Sequence, residues 1–437
     1  MKTFALTLLF AYSFASAAQE QDAEIRTLTL EECIQIALNK NLTIKGAENS
    51  LLAARSNRTQ AKFNFLPNLN ANLNYSTNDG SGINNAGEVV TNASDQSRPR
   101  VSSNFVLFNA FANHHLLSRR RHEYESFRYQ LENQKIVTQA TVVRNYLNVL
   151  VDEENVRISD QRLQFLEEQL DRERKRESVG VGNLETVYNF QSQVATERLT
   201  NVNLKNQYQS DLLTLLQSLQ LNDGTDVRIV PLETSDLANL LEYEEYPIVL
   251  KEIMQNSFSL KSANESQVAA QSQLKQARSA RYPTLSLFAQ HSRNYSSAAD
   301  PSFNDQIENN RTDFIQGTLA IPIFNQYQAQ NGIDNSRVGL LNAQLQNDQA
   351  TLDVTNAAQR DYLDLVAAQT SYRTAAENFE ALDQTFEFIK KRFEAGNTDF
   401  YSYLESLNNK NRGEAQLINA KYTIVLRTRI LDLYRGN

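Results

Sequence analysis

Four short stretches of the chain alternate apolar and polar residues with a period of two. In 67–75, Pro67, Leu69, Ala71, Leu73 and Tyr75 alternate with four asparagines, Asn68, Asn70, Asn72 and Asn74. In 283–290, Leu285, Leu287 and Ala289 alternate with Thr284, Ser286 and Gln290, and Phe288 breaks the order. In 315–323, Ile315, Leu319, Ile321 and Ile323 interleave with Gln316, Thr318, Ala320 and Pro322; segment 101–108 shows a weaker version through Val101, Phe105 and Leu107. Period two over about 9–11 residues predicts strands with one apolar face, as in a membrane β-barrel whose other face lines a wet lumen. A half-buried soluble sheet shows the same alternation. The asparagine-rich inner face, and the polar loops expected over 76–100 and 291–313, favour the barrel.

The rest of the chain changes period. Apolar residues recur in threes and fours over 110–177 (Val142, Tyr146, Val149, then Leu163, Leu166, Leu170) and over 326–394 (Phe379, Leu382, Phe386, Ile389, Phe393). That spacing is a coiled-coil seam, and the charged run Asp171–Arg176 belongs to its solvated face. At 1.5 Å per residue such a helix is ~100 Å long, too long for the inside of a globular domain. A glycine turn and a shorter returning helix follow each one (184–218 and 400–433), which predicts two helical hairpins. Before each strand pair a further helix is expected, over 31–65 and 248–281, stopped by Pro67 or Pro283.

These series are one series written twice. At a constant offset of 216 residues, Lys45, Ala47 and Ser50 fall on Lys261, Ala263 and Ser266, Pro67 on Pro283, Phe108-Asn109 on Phe324-Asn325, Tyr146 on Tyr362, and Gly180 on Gly396. The register holds from about 45 to 217 without a gap. The expected organisation is a signal peptide over 1–18, a first repeat over 19–217, a connecting segment over 218–247 without helical period, and a second repeat over 248–437. Four strands cannot close a barrel, since even small ones need about eight, and open edges are not tolerated in lipid. The barrel must be shared among chains.

Composition agrees with long, thin helices: glycine, at 13, and proline, at 7, are scarce for 437 residues, and the chain is hydrophilic overall. Lys2, the apolar run Phe4–Phe14 and the small residues Ala15–Ala18 read as a cleavable secretory leader. The lone Cys33 allows no internal disulfide and suits a buried helical position. There is no phosphate-cradling glycine loop and no Cys/His zinc spacing, so no enzyme and no cofactor is expected. His114, His115 and His122 read as solvated helix positions and not as a metal site, and a formal charge of −8 argues against a nucleic-acid binder.

The order helix, β-hairpin, long helix, glycine turn, return helix, twice over, resembles the TolC-type outer-membrane efflux proteins. Leu28-Thr29-Leu30-Glu31-Glu32-Cys33 through Asn41 is similar to that family's Leu-Glu-Glu-Ala entry helix running to Asn-Pro, with Leu42 in place of the proline. Leu66-Pro67 and Tyr282-Pro283 resemble its helix-to-strand junctions. Val179-Gly180 and Ala395-Gly396 resemble its hairpin tips, where an adaptor makes contact. The resemblance implies a mainly α fold with a small membrane β part, in two tandem repeats. Three copies would form a shared 12-strand barrel and an α-helical tunnel across the periplasm. It also implies a periplasmic adaptor protein and an inner-membrane pump as partners, outer-membrane lipid around the barrel, and a passive exit duct for efflux or type I secretion. Family members close the tunnel with a tyrosine three before the tip glycine, an arginine two after it, and aspartates six and nine after it. Counted from Gly396 these positions are Phe393, Thr398, Ser402 and Glu405, so only the last keeps its charge, and Glu394 or Asp399 stand near enough to replace it. A secreted coiled-coil adhesin or fibre is the alternative; it accounts for the helices but not for the four amphipathic strands.

Overall fold

The computed structural model describes residues 26–83, 85–221, 227–232 and 243–436. The leader expected over 1–18 and parts of the connecting segment (222–226 and 233–242) lie outside the described residues. The 216-residue offset is kept at the level of single residues. Helix α1 (Leu30–Lys40) is matched by α5 (Tyr246–Asn256), α2 (Leu42–Phe63) by α6 (Phe258–Ser279), α3 (Ala112–Ser178) by α8 (Gln328–Glu394), and α4 (Leu184–Ser218) by α9 (Phe400–Arg435). Each single helix expected before a strand pair is therefore two. The break falls at Asn41 and at Ser257, whose side chains accept the amide protons of Thr43 and Ile44 and of Leu260, so each starts a new helix as its N-cap. Leu42 does not prevent the break, because the asparagine side chain supplies what ends one helix and begins the next.

The chain divides into two compact units, one of residues up to Asn39 with Arg144–Ser235, the other of Lys40–Val143 with Asp236–Asn437. In the first, β1 (Arg26–Leu28) runs parallel to β4 (Val227–Ile229), and Leu28, Cys33, Leu147, Leu150, Phe190, Leu215 and Ile229 are buried. Tyr146 Oη donates to the carbonyl oxygen of Val230 at 2.5 Å and lies 3.2 Å from that of Leu28, tying both strand ends to α3. Farther along, α3 and α4 are held in register by polar groups. Glu197, 2% exposed, accepts from Ser159 Oγ at 2.8 Å and faces Arg162 Nε at 3.1 Å. Asn201 and Lys205 both donate to Asp160 Oδ1, each at 2.8 Å. Asp152 on α3 faces Asp211 on α4, and among the described residues its buried Oδ2 meets no donor other than that second carboxyl.

In the second unit, α3 meets α6 through small hydroxyls and one ion pair. Ser118 Oγ lies 3.0 Å from Ser272, His122 Nδ1 2.6 Å from Glu265, and Ser126 Oγ 3.0 and 2.8 Å from Ser262 and Ser266. Helices α8 and α9 form the second hairpin. The seam read from the sequence is its inner face: Phe386 is buried, and Phe379, Leu382, Ile389 and Phe393 are half-buried. Gly413 permits the approach, since a Cβ there would stand 2.8 Å from Leu382 Cδ1. At the end of α9, Arg435 bonds Glu252 at 2.6 Å and Glu244 at 2.7 Å, and these carboxylates raise its pKa further.

The same unit carries one sheet built from both repeats. β2 (Asn70–Ile83), β3 (Val89–Phe108), β5 (Thr284–Arg293) and β7 (Arg311–Ala320) pair antiparallel in that order, and the short β6 (Tyr295–Ser296) adds to β3. The strands are longer than the alternation suggested, so the loop expected over 76–100 is a correction: β2 and β3 continue through most of it as a paired ribbon. The loop expected over 291–313 holds β6 and a short helix, α7 (Phe303–Asn309), and 321–323 is not strand. The ribbon was missed because its residues are polar on both faces, which removes the period-two signal but not the backbone pairing.

Register defines the two faces. Ala71, Leu73, Val101, Phe105, Leu285, Leu287, Ala289, Ile315 and Leu319 share one, with Ile315 77% exposed. Asn70, Asn72, Asn74, Ser102, Asn104, Ser286, Gln290, Gln316 and Thr318 share the other. Phe288, out of place in the alternation, lies on this polar face beside Phe314, their rings 6.2 Å apart. Strand passes to long helix through two successive left-handed residues, Ala110 and Phe111 (φ 50° and 63°), and again at Gln326 and Tyr327 (φ 50° and 66°).

Two expectations follow. Leu287→Arg should destabilise the assembled barrel by roughly 2–4 kcal/mol near the bilayer midplane, and Ser286→Arg far less, as read by urea unfolding in liposomes; equal losses would reverse the faces. Burial and the facing Asp211 carboxyl push Asp152 up to about 7. A carboxyl with a folded pKa above its unfolded value near ~3.9 favours the folded state most at acid pH, and that stabilisation fades as pH rises toward neutrality. Unfolding midpoints by circular dichroism should therefore fall from pH 5 to pH 8 in the wild type more than in Asp152→Asn.

Candidate functional site: the hairpin tips and the exposed sheet

Both hairpins turn by the same motif. Gly180 and Gly396 take φ of 79° and 76°. Gly180 N donates to Glu177 O at 2.9 Å and Val181 N to Arg176 O at 3.0 Å; Gly396 N donates to Phe393 O at 3.0 Å and Asn397 N to Arg392 O at 2.8 Å. These are paired Schellman bonds, which need the left-handed residue that glycine supplies without strain. Asn183 then caps α4 through Glu185 N, and Asp399, in the matching position, caps α9 through Ser402 N. In the first tip Gly182 is also required, because a Cβ there would stand 2.5 Å from Glu177 N. The second tip has Thr398 at that position.

The four positions taken from the resemblance do not form one cluster. Phe393 stacks on Tyr403 within its own hairpin, ring centroids 4.6 Å apart at 21°, and Phe386 lies on Tyr403 at 5.9 Å. Tyr403 is 1% exposed, so this aromatic group is core. Ser402 is engaged in capping: its Oγ and its amide donate to Asp399 at 2.7 and 2.9 Å, which holds that carboxyl below the usual range. Thr398 is half-buried. Glu405 alone is exposed, and no described residue pairs with it. Of the tip residues expected to meet an adaptor, Val179 is 73% exposed, and Gly180, Ala395 and Gly396 are exposed as well. Tyr403 and the Asp399 cap were missed in the sequence, although aligning Asn183 with Asp399 at the common offset points to the second.

Three of the four histidines have structural partners: His114 packs edge-on against Phe65, His122 meets Glu265, and His291 faces Asp313 at 2.6 Å across two strands. Outside the hairpin seams, α8 keeps a second apolar stripe uncovered, Val338, Leu341, Leu345 and Leu352, at the three-four-seven spacing of a helix-packing face. The lipid-type face of the sheet is uncovered too.

The profile of the outer membrane efflux protein family matches residues 33–219 and 249–436, one stretch in each repeat. The chain belongs to the outer membrane efflux protein family. Among solved structures it is similar to VceC of Vibrio cholerae (TM-score 0.78, 13% identity, 93% of this chain and 96% of that one). It is similar also to the Campylobacter jejuni CmeC outer membrane channel (0.75, 17%, 93% and 85%). The open state of the Neisseria gonorrhoeae MtrE outer membrane channel matches with a TM-score of 0.69 at 16% identity, over 93% and 88% of the two chains. Among curated proteins no sequence match is found. The efflux channel is thus an outer-membrane exit duct and not an enzyme, and it works as a trimer with an efflux system. In a trimer, four strands from each copy share one barrel.

Proposed function

We propose that this exit duct serves a tripartite exporter in which a periplasmic adaptor protein grips the two hairpin tips and an inner-membrane pump supplies the energy. The observation that carries this is the pair of tips: two rigid Schellman turns presenting solvent-exposed apolar side chains, Val179 and Val181 at one and Tyr401 near the other. Such residues on a stiff turn bind without the cost of ordering a loop. In the same reading the periplasmic mouth closes by seam packing around Phe393, with Glu405 repeated three times as a carboxylate ring. The polar latch of the family is not available here, since Ser402 serves the cap and Thr398 carries no charge. A ring of carboxylates at a narrow opening selects cations and binds multivalent ones.

Val179→Asp with Ala395→Asp should abolish export by cells and cross-linking to the co-expressed adaptor, while trimers still form pores in planar bilayers. Export that persists in this variant would remove the tips from the docking surface. Trivalent cobalt hexammine on the periplasmic side should block wild-type pores, and Glu405→Gln should relieve that block. If it does not, the same recording on Glu394→Gln and Asp399→Asn locates the ring.

A further inference from the structure

The two faces of the sheet differ in where their charges lie. On the apolar face, ionisable side chains appear only toward the loop ends: Asp79 and Asp95 on β2 and β3, and His291, Arg293, Arg311 and Asp313 on β5 and β7. His291 pairs across to Asp313 and Arg293 to Arg311, one rung after another, immediately beyond Ala289 and Ile315. Charged side chains on the lipid side are costly at depth and cheap near the interface, so these rungs mark the outer boundary of the membrane.

On the polar face the contrast is sharper. Among the described strand residues facing that way, the only ionisable side chains are Arg98 and Arg100, both on β3. Both are exposed. Their neighbours across the sheet are neutral: Arg98 stands opposite Asn74, and Arg100 opposite Asn72 on one side and Ser292 on the other. Arg98 donates to Gln96 Oε1 at 3.1 Å, and no described carboxylate pairs with either guanidinium. Arg100 shares its row with Ser292 and Thr312, between the His291–Asp313 and Arg293–Arg311 rungs, and Arg98 lies two residues farther out along β3. From the strand end at Phe108 they are 8 to 10 residues away, roughly 26–33 Å along the strand. They therefore sit at the extracellular end of the lipid-enclosed lumen.

We infer that Arg98 and Arg100, repeated in three copies, form a basic ring at the outer mouth of the barrel that draws solutes bearing a carboxylate, phosphate or sulfonate through the last part of the duct. This rests on the reading of the chain as a duct. Six guanidinium groups without counter-charges, in a lumen walled by low-dielectric lipid, focus a positive potential across the opening. Rings of arginine or lysine are the arrangement that favours anions. The ring lies at the opposite end of the path from Glu405, so a solute with an anionic group and an apolar body meets attraction where it must leave.

The test is recording from purified wild-type trimers in planar bilayers under a KCl gradient, with inorganic tripolyphosphate added to one side. Tripolyphosphate on the extracellular side should block the pore at lower concentration than on the periplasmic side. In Arg98→Gln/Arg100→Gln that block should weaken several-fold and the reversal potential should move toward potassium. Arg98→Lys/Arg100→Lys should keep both properties. A second variant leaves the arginines in place: Asn72→Asp/Asn74→Asp sets a carboxylate opposite each and should reproduce the glutamine phenotype. Pores with unchanged block and reversal potential in both neutralised variants overturn the basic ring while leaving the duct intact. Trimers that conduct nothing even when Phe393→Ala loosens the periplasmic mouth overturn the duct reading, and this inference with it.

Discussion

Hydrocarbon offers no hydrogen bonds, and the sheet ends in two strands, β2 and β7, whose outer edges pair with no strand among the described residues. Each unsatisfied N–H or C=O in lipid costs several kcal/mol, so the sheet has no stable existence there as a monomer. Closing it on two further copies satisfies both edges, and the assembly of the efflux channel follows from that requirement. The same requirement explains why the two hairpins, far apart in sequence, are joined through β3 and β5 into one continuous ladder. Each chain then exposes two edges instead of four.

The helices obey a different rule. A seam one or two side chains wide stabilises a hairpin only weakly per turn, and its length must supply what a broad core supplies elsewhere. The buried polar groups between α3 and α4 add register: Glu197 is satisfied only when Ser159 and Arg162 stand opposite it, and a sliding hairpin would leave it buried and unpaired. Apolar seam residues tolerate a shifted pairing; a buried carboxylate does not.

Much of this was legible in the sequence, and the gaps have physical reasons. The duplication, the seams and the strand faces are periodic, and periodicity survives without an alignment; Leu73 and Leu287 fall on one face of the sheet as their alternation required. The extension of β2 to Ile83 and of β3 back to Val89 was invisible, because Asn78, Gly80 and Ser94 carry loop chemistry while their backbones pair as strands. The break at Asn41 was masked by the missing proline, although an asparagine ahead of threonine is a cap in its own right. At the tip, position alone left only Glu405 charged among Phe393, Thr398, Ser402 and Glu405, and so already argued against the family's latch. Ser402 proved to be committed to a helix cap and Phe393 to a stack on Tyr403, contacts that depend on partners no motif names.

The equality of the two repeats turns helix length into a ruler. A single residue removed from α8 would advance every later side chain by about 1.5 Å and swing it about 100° around the axis, carrying Phe386 out of the seam and Asp383 away from Lys410. Sequence drift in these helices is therefore quantised. Lengthening a hairpin without turning its seam outward calls for insertions close to whole turns, such as a heptad in the outgoing helix matched by one in the return. Each such heptad would add about 10 Å to the reach of the hairpin.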